Sequence, residues 1–256
     1  MNIKFTPHKI DVLETFSDEN FQYQVSDHFF ENNPQNNTRD LAFKNDKLPC
    51  FYLHSSVYLE KEKIRQPIYE IPQDSFEIWG EISSVHNVLV LGCAGCTIPR
   101  FFVLKYPECC VTGVEISKRL IDIAHKYFFI PEFKNRFSLV CDDAFSFTPQ
   151  LKNQHFDIIY VDLFDGFSVP NDVFSEEFCN KQFQYMSEDS MLLINLLDVE
   201  YEKALLFVKQ NKKIFEKACL LMQGSKVFVV FAKTGNGNWS TFKDAIEKKK
   251  INTVFL

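Results

Sequence analysis

The stretch from Asn87 to Glu115, NVLVLGCAGCTIPRFFVLKYPECCVTGVE, admits few folds. Val88, Leu89, Val90 and Leu91 form a short apolar run that stops at Gly92, the pattern of a parallel strand covered on both faces. Gly92 and Gly95 then give a turn backbone freedom and room for a ligand to come close. A helix is predicted over 97–105, and residues 111–115 repeat the strand pattern and close on an acid. Glu115 lies 23 residues past Gly92, near the ~20-residue offset at which an acid reaches the hydroxyls of a bound ribose. Strand, turn, helix, strand and acid together predict one nucleoside-binding half of a doubly wound sheet.

The chain keeps that alternation afterwards. A helix is predicted over 118–129, with Leu120, Ile121, Ala124 and Phe128 on one side, and a third strand over 137–141. Residues 156–162 (FDIIYVD) form the fourth strand, entered after the polar Lys152, Asn153 and Gln154. A helix over 175–186, a fifth strand over 191–197 and an amphipathic helix over 200–215 follow. Two apolar runs, 218–222 and 227–232, are separated by a short link holding Gly224 and Ser225. That link is too short for a parallel crossover, so these strands must form an antiparallel hairpin. The expectation for 86–256 is a Rossmann-like, doubly wound α/β domain: seven strands, mostly parallel, one reversed. The lysine-rich tail, 238–256, reads as a helix with a solvated face.

Residues 1–85 do not share the rhythm. They hold an asparagine-rich loop at 31–37, a strand-like run at 50–59 (CFYLHSSVYL) and a helix at 68–79 entered through Pro72 and Asp74. They are expected to form a small N-terminal extension, a β-hairpin or lid against the sheet edge that walls the substrate.

With 256 residues and 46% hydrophobic content the chain can bury a full core, and its 28 phenylalanines can line a pocket as well as fill that core. A net charge of −6 argues against a broad phosphate-binding surface, so nucleic acid is not an expected partner. The N-terminus lacks the apolar core of a signal peptide and no stretch approaches a membrane span, which predicts a cytoplasmic location and no membrane partner. The eight cysteines sit mostly in apolar runs, as reduced buried thiols do. Cys93-Ala94-Gly95-Cys96 is formally a C-x-x-C, but it has no second pair, and the six histidines show no ligand-like spacing. No metal is expected.

In open α/β sheets, ligands bind beyond the carboxyl ends of the strands, where the strand order reverses. Four acids fall at such ends: Glu115, Asp143, Asp162 and Asp165. The loop is not a full G-x-G-x-x-G, which favours a mononucleoside-type ligand such as S-adenosylmethionine over a dinucleotide. Glu115 would take the ribose hydroxyls and Asp143 the adenine amino group. Gly92, Cys93, Ala94 and Gly95 of the turn, with Ile116, Ala144 and Asp162, would complete the binding site. Asp162 and Asp165 are the candidate catalytic pair, placed to anchor an incoming amine and accept its proton. Tyr52, Phe164 and Phe167 could shape an apolar acceptor pocket.

The segments VLVLGCAGCTIPR, VTGVEIS, CDDAFSF, FDIIYVDLFDGFSVPNDVFSEEF and MLLINL resemble the spermidine synthase-like branch of the class I S-adenosylmethionine-dependent methyltransferase fold. In that branch the strand-four segment reads Asp-x-x-Asp, then Pro, then Thr/Ser-x-Glu-Phe; Asp162, Asp165, Pro170, Ser175, Glu177 and Phe178 occupy those places. Two departures stand out. The branch's Gly-Gly-Gly-Asp-Gly-Gly loop is here one residue shorter and without its acid, and its Leu-Asp-Gly strand is replaced by Leu53-His54-Ser55. The resemblance with these departures implies transfer from S-adenosylmethionine, foremost methyl transfer to a small amine-bearing acceptor. The alternatives are aminopropyl transfer from decarboxylated S-adenosylmethionine, as in polyamine synthesis, and a non-catalytic nucleoside-binding module. Assembly as a homodimer is left open.

Overall fold

In the computed structural model, residues 6–18, 20–65, 69–133, 135–149, 154–166 and 168–256 are described. The chain opens with β1 (Lys9–Ser17), β2 (Gln22–Phe29), β3 (Thr38–Lys44) and β4 (Tyr52–Tyr58), an antiparallel sheet in that order. Then come α1 (Glu70–Ile82), β5 (Asn87–Leu91), α2 (Thr97–Lys105), β6 (Cys110–Glu115), α3 (Lys118–Tyr127), β7 (Phe137–Cys141) and β8 (Phe156–Val161). The chain ends with α4 (Glu176–Tyr185), β9 (Met186–Asn195), α5 (Tyr201–Asn211), β10 (Lys217–Gln223), β11 (Lys226–Lys233), α6 (Asn236–Lys248) and β12 (Asn252–Phe255).

The second sheet has the order β12-β10-β11-β9-β8-β5-β6-β7. Strands β7, β6, β5, β8 and β9 are parallel, and β11 runs antiparallel to β9. From β7 to β10 this is the expected seven-stranded, doubly wound α/β sheet with one reversed strand. Strand β5 has β6 on one side and β8 on the other, so the order reverses there and a crevice opens beyond its carboxyl end.

The core lies on both faces of this sheet. On one face Val88, Val90, Ile158, Tyr160 and Leu193 meet the rings of α1, α2 and α6, where the Phe76 and Phe102 ring centres are 4.8 Å apart, tilted at 53°, and Trp79 meets Phe242 edge-on at 5.7 Å. On the other, Leu89, Leu91, Ile159 and Ile194 meet Phe178 of α4 and Phe207 of α5. Side-chain hydroxyls begin two of the helices: Ser117 Oγ accepts from Leu120 N (3.2 Å) and Ser175 Oγ from Phe178 N (3.1 Å).

Four features differ from expectation. The extension is a four-stranded sheet rather than a hairpin; β2 mixes buried Tyr23 and Val25 with buried polar Ser26 and Asp27, which blurs its strand pattern. Strand β9 begins at Met186 instead of Met191, because its polar start is held by hydrogen bonds: Ser187 Oγ donates to Asp157 Oδ1 (2.8 Å) and to the Phe156 carbonyl (3.2 Å). An eighth strand, β12, pairs antiparallel with β10 where only a helical tail was expected. Helix α5 also stops at Asn211, releasing Phe215 to stack 4.3 Å from Phe231. Ile68, the predicted start of α1, lies outside the described residues.

Two polar clamps fasten the N-terminal sheet to α3. Arg39 of β3 donates to both oxygens of buried Asp27 (2.7 and 2.8 Å) and to the Tyr127 carbonyl (3.0 Å). Glu14 of β1 accepts from Arg119 (2.5 Å), Lys126 (2.7 Å) and the Tyr127 hydroxyl (2.8 Å), and the Lys126 bond leads in holding its carboxyl below the ordinary value. The buried clamp should dominate. Arg39→Ala strands the Asp27 carboxylate and should cost about 3 kcal/mol or more in denaturant unfolding. Glu14→Gln, at a more exposed site, should cost about 1 kcal/mol or less. Equal costs would mean that the two clamps do not differ in burial as described.

Candidate active site

Beyond the carboxyl ends of the parallel strands lies a cavity of about 640 Å³, roofed by Tyr23, Phe43, Tyr52, His54 and Ser55 of the N-terminal sheet. Its floor begins at the turn after β5. Gly92 has φ +86°, and a Cβ there would sit 2.2 Å from the Asp162 carbonyl oxygen, so glycine is required. Ala94 and Cys96 also take positive φ, 41° and 61°, a conformation that costs a non-glycine residue about 1–3 kcal/mol unless its surroundings enforce it.

The enforcement comes from one carboxylate. Glu115 Oε2 accepts from Cys93 N (3.1 Å) and Ala94 N (2.9 Å), and Oε1 accepts from Ser117 N (2.9 Å). The remaining amides of the turn are also committed: Gly92 N to Val114 O (2.9 Å), Gly95 N to Ser55 Oγ (3.0 Å) and Cys96 N to Cys93 O (2.7 Å). Thr97 Oγ1 completes the fastening, donating to Ser56 O and accepting from Ser56 N, both at 2.9 Å. The turn is thus held from below by β6 and from above by β4.

Gly92, Cys93, Ala94, Glu115, Ile116, Asp143, Ala144, Asp162 and Asp165 all line the cavity. Gly95, expected beside the ligand, does not: it faces β4, where a Cβ would come 2.6 Å from Ser55 Cβ. Asp143 Oδ1 accepts from Phe145 N (3.0 Å), which fixes the turn after β7. Asp165 is exposed, and its backbone is bridged both ways to Ser168 (2.9 and 3.1 Å). Phe164 and Tyr52 line the cavity; Phe167 lies outside the described residues. The Cys93 thiol is pushed well above its ordinary pKa, chiefly by burial, as for an inert buried thiol.

The surroundings of Asp162 alter its acidity. Burial pushes its carboxyl up to about 6, against hydrogen bonds from Asn195 and Tyr160 that favour the charged form. Asn195 Nδ2 donates to Asp162 Oδ1 at 2.8 Å. Asn195 and Tyr160 were not singled out in the sequence, although an asparagine closing the apolar run MLLIN was a signal. His54 and Lys226 also line the cavity unforeseen; the His54 ring lies 5.4 Å from Phe43, while Lys226 pairs with Asp198. Among the described residues no group of three or more His, Cys, Asp or Glu is placed to hold a metal, and no helix is long and apolar enough to cross a membrane.

The volume falls within the ~300–1,000 Å³ of small-molecule sites, and carboxylates at the ends of β6 and β7 suit the hydroxyls and amino group of a nucleoside. The fold is the one that S-adenosylmethionine-dependent transferases share. The family model for the spermine/spermidine synthase domain matches residues 80–250, and the chain belongs to that family. A polyamine aminopropyltransferase of Clostridium botulinum is 29% identical over 163 residues, 61% of this chain and 55% of that protein. The chain thus spans about half the length of that curated relative. An N-terminal histidine N-methyltransferase of Emericella nidulans is 24% identical over 182 residues, 66% of this chain and 32% of that protein. Among solved structures, a probable spermidine synthase from Corynebacterium glutamicum superposes with a TM-score of 0.70 at 16% identity, covering 96% of this chain and 90% of that one. Human methyltransferase-like protein 13 in complex with SAH gives a TM-score of 0.56 at 16% identity, with 70% and 90% covered.

If Glu115 holds the turn as described, Glu115→Ala should expose the amides of Cys93 and Ala94 to hydrogen exchange while those of β5 stay protected. Stability should fall by about 1.5–3 kcal/mol, the value of hydrogen bonds to a charged group. Unchanged protection at residues 93 and 94 would show that the turn is held by something else.

Proposed function

We propose that the chain transfers the aminopropyl group of decarboxylated S-adenosylmethionine to a small amine acceptor. The observation that carries this reading is the charge of the cavity wall. Among the described residues, Asp18, Glu115, Asp142, Asp143, Asp162, Asp165 and Asp198 line it against one lysine, Lys226, which is itself paired with Asp198. Such a wall favours a donor ending in an ammonium and a cationic acceptor, and disfavours the carboxylate of the intact donor. The turn adds to this: every amide from Gly92 to Cys96 already has an acceptor, so the backbone has no free N–H group to offer a carboxylate. The aminopropyltransferase relatives point the same way. This reading departs from the expectation of methyl transfer, which rested on the missing loop acid; the other wall carboxylates can meet the donor's ammonium instead.

The residues divide the work by position. Three of the roughly four acceptor positions of the Glu115 carboxylate are used by the turn, leaving one for a ribose hydroxyl. Asp143 retains Oδ2 for the adenine amino group. The bound donor supplies a carbon activated by its sulfonium. Asp162 receives a proton from the acceptor ammonium, whose freed lone pair then forms the N–C bond as the C–S bond breaks. The bonding electrons pass to sulfur, giving neutral methylthioadenosine. Holding the two reactants in line contributes up to about 7–11 kcal/mol to such a displacement, and the apolar roof of Phe43 and Tyr52 limits water.

Methyl transfer from the intact donor is the second reading, favoured by the acid-free turn and by the methyltransferase relatives. Incubation with each donor and a panel of di- and polyamines separates them. Methylthioadenosine from the decarboxylated donor supports the proposal; S-adenosylhomocysteine from the intact donor supports the second reading; turnover of neither overturns both.

Asp162 also links pH to stability. Because its folded pKa of about 6 lies above its ordinary value, its ionisation disfavours the fold. The stability it contributes is full below about pH 4 and is lost as pH rises to about 6. Asp162→Asn should therefore be more stable than the parent at pH 7 and no more stable at pH 4, while kcat falls by about 10²–10⁴ with donor affinity kept. A variant that turns over normally would remove Asp162 from the proton transfer.

A further inference from the structure

The floor of the cavity holds two polar side chains that the proposed reaction leaves without a task. Asn195, at the last position of β9, is buried at 3% exposure, and Tyr160, in β8, at 2%. Both line the cavity. Neither is needed to hold the sheet, whose ladder at these positions is made by backbone groups alone: Tyr160 is in register with Leu193, and Asn195 with Phe228.

Their geometry converges on one atom group. Asn195 Oδ1 accepts from Leu197 N at 3.0 Å, and its Nδ2 donates to Asp162 Oδ1 at 2.8 Å. An amide has one acceptor end and one donor end, so only this orientation satisfies both neighbours. Leu197 is held with φ +48°, which presents its N–H to Asn195. Tyr160 lies two residues before Asp162 and therefore faces the same side of the chain, and its hydroxyl acts on the same carboxylate in favour of the charged form. The Tyr160 ring is itself fixed edge-on to Phe76, 5.4 Å away at 90°. The backbone of Asp162 is pinned as well, its N–H donating to Leu91 O at 2.8 Å.

We propose that Asn195 and Tyr160 are positioning residues for the reaction: together they lock the Asp162 carboxylate in one rotamer, with Oδ1 engaged and Oδ2 presented to the acceptor nitrogen. This rests on the proposed amine transfer, in which Asp162 receives the proton. A carboxylate at the end of a strand would otherwise rotate about two torsions, and a proton acceptor aimed in one direction loses less in reaching the reactive geometry. The buried pair also favours the charged form of the carboxylate, Asn195 through its 2.8 Å hydrogen bond to Oδ1. The other titratable groups around Asp162 are Tyr69 ahead of α1, Asp198 after β9 and Lys226 at the start of β11, with Asp165, Glu115, Asp143 and His54 on the same cavity wall. Of the groups acting on Asp162, Asn195 and Tyr160 are the two that favour its ionised form.

The test is the titration of Asp162 itself, followed through the side-chain carboxyl carbon by NMR in protein labelled with ¹³C aspartate and assigned with Asp162→Asn. Tyr160→Phe removes one oxygen and keeps the ring, and Asn195→Leu keeps the size and removes both polar ends. In each the Asp162 titration should move upward by about one pH unit, since a hydrogen bond to the charged form is lost. In steady-state assays the acid limb of kcat/KM should move by the same amount, with kcat reduced and the KM for the donor unchanged. A purely structural role would lower the thermal midpoint of the variants and leave the Asp162 titration in place; that result in Tyr160→Phe overturns the proposal. The NMR arm needs no turnover. A shifted titration in a protein that converts no donor would therefore sink the proposed reaction and keep the positioning, and an unshifted one in an active enzyme would do the reverse.

Discussion

Three backbone amides converge on the carboxylate of Glu115, and the rest of the site depends on that convergence. Without an acceptor at the end of β6, the turn after β5 would have to hold Ala94 and Cys96 in the left-handed region with nothing to enforce it. The same turn brings Gly92 against the backbone of Asp162, so Glu115 indirectly sets the distance between the two strand ends that flank the crevice. The carboxylate can do this because β6 and β5 are in parallel register, Leu91 opposite Val114, which puts Glu115 one residue beyond the last pair. Sheet register, turn conformation and ligand crevice are one mechanical unit.

The N-terminal sheet belongs to that unit more closely than a lid would. Ser55 takes the amide of Gly95 and Ser56 exchanges two hydrogen bonds with Thr97, so β4 grips the turn through both of its neighbouring serines. Phe16, Tyr23, Val25, Leu41, Phe43 and Val57 join the same buried cluster as Val88 and Val90. Its outer strand is anchored by Glu14 and its third by Arg39, both on α3. The roof is thus tied to the donor turn at one end and to the helix after β6 at the other. The acidic wall beneath it carries a cost in self-repulsion that a cationic ligand would relieve.

How much of this could be read from the chain follows the range of the interactions. The strands β5 to β8 were legible because each is a short apolar run bounded by a turn residue, and α2 because the helical pattern begins directly after the glycine turn. The acids at the strand ends were legible for the same reason: each follows the last apolar residue of its run, where a parallel strand delivers it to the crevice. What was hidden depends on distant partners. Ser55 meets Gly95 forty residues on in the chain, and nothing local to either announces the contact, so Gly95 was read as facing a ligand. Asn195 acquires its meaning from Asp162, and β1 to β3 owe their pairing to one another rather than to strongly apolar alternation. Strand β12, four residues long, has too little sequence to show a period. The charge of the cavity wall was also beyond local reading, because it is the sum over side chains from nearly every loop around the cavity.

The grip of β4 on the turn has a consequence for local opening. The turn keeps its shape only while residues 55 and 56 meet 95 and 97. Parting the roof from the turn would therefore undo the crevice while the hydrogen bonds of the parallel sheet remain in place. A ligand that bridges roof and turn would act as a strut, raising the free energy of that local opening above the value set by the protein alone.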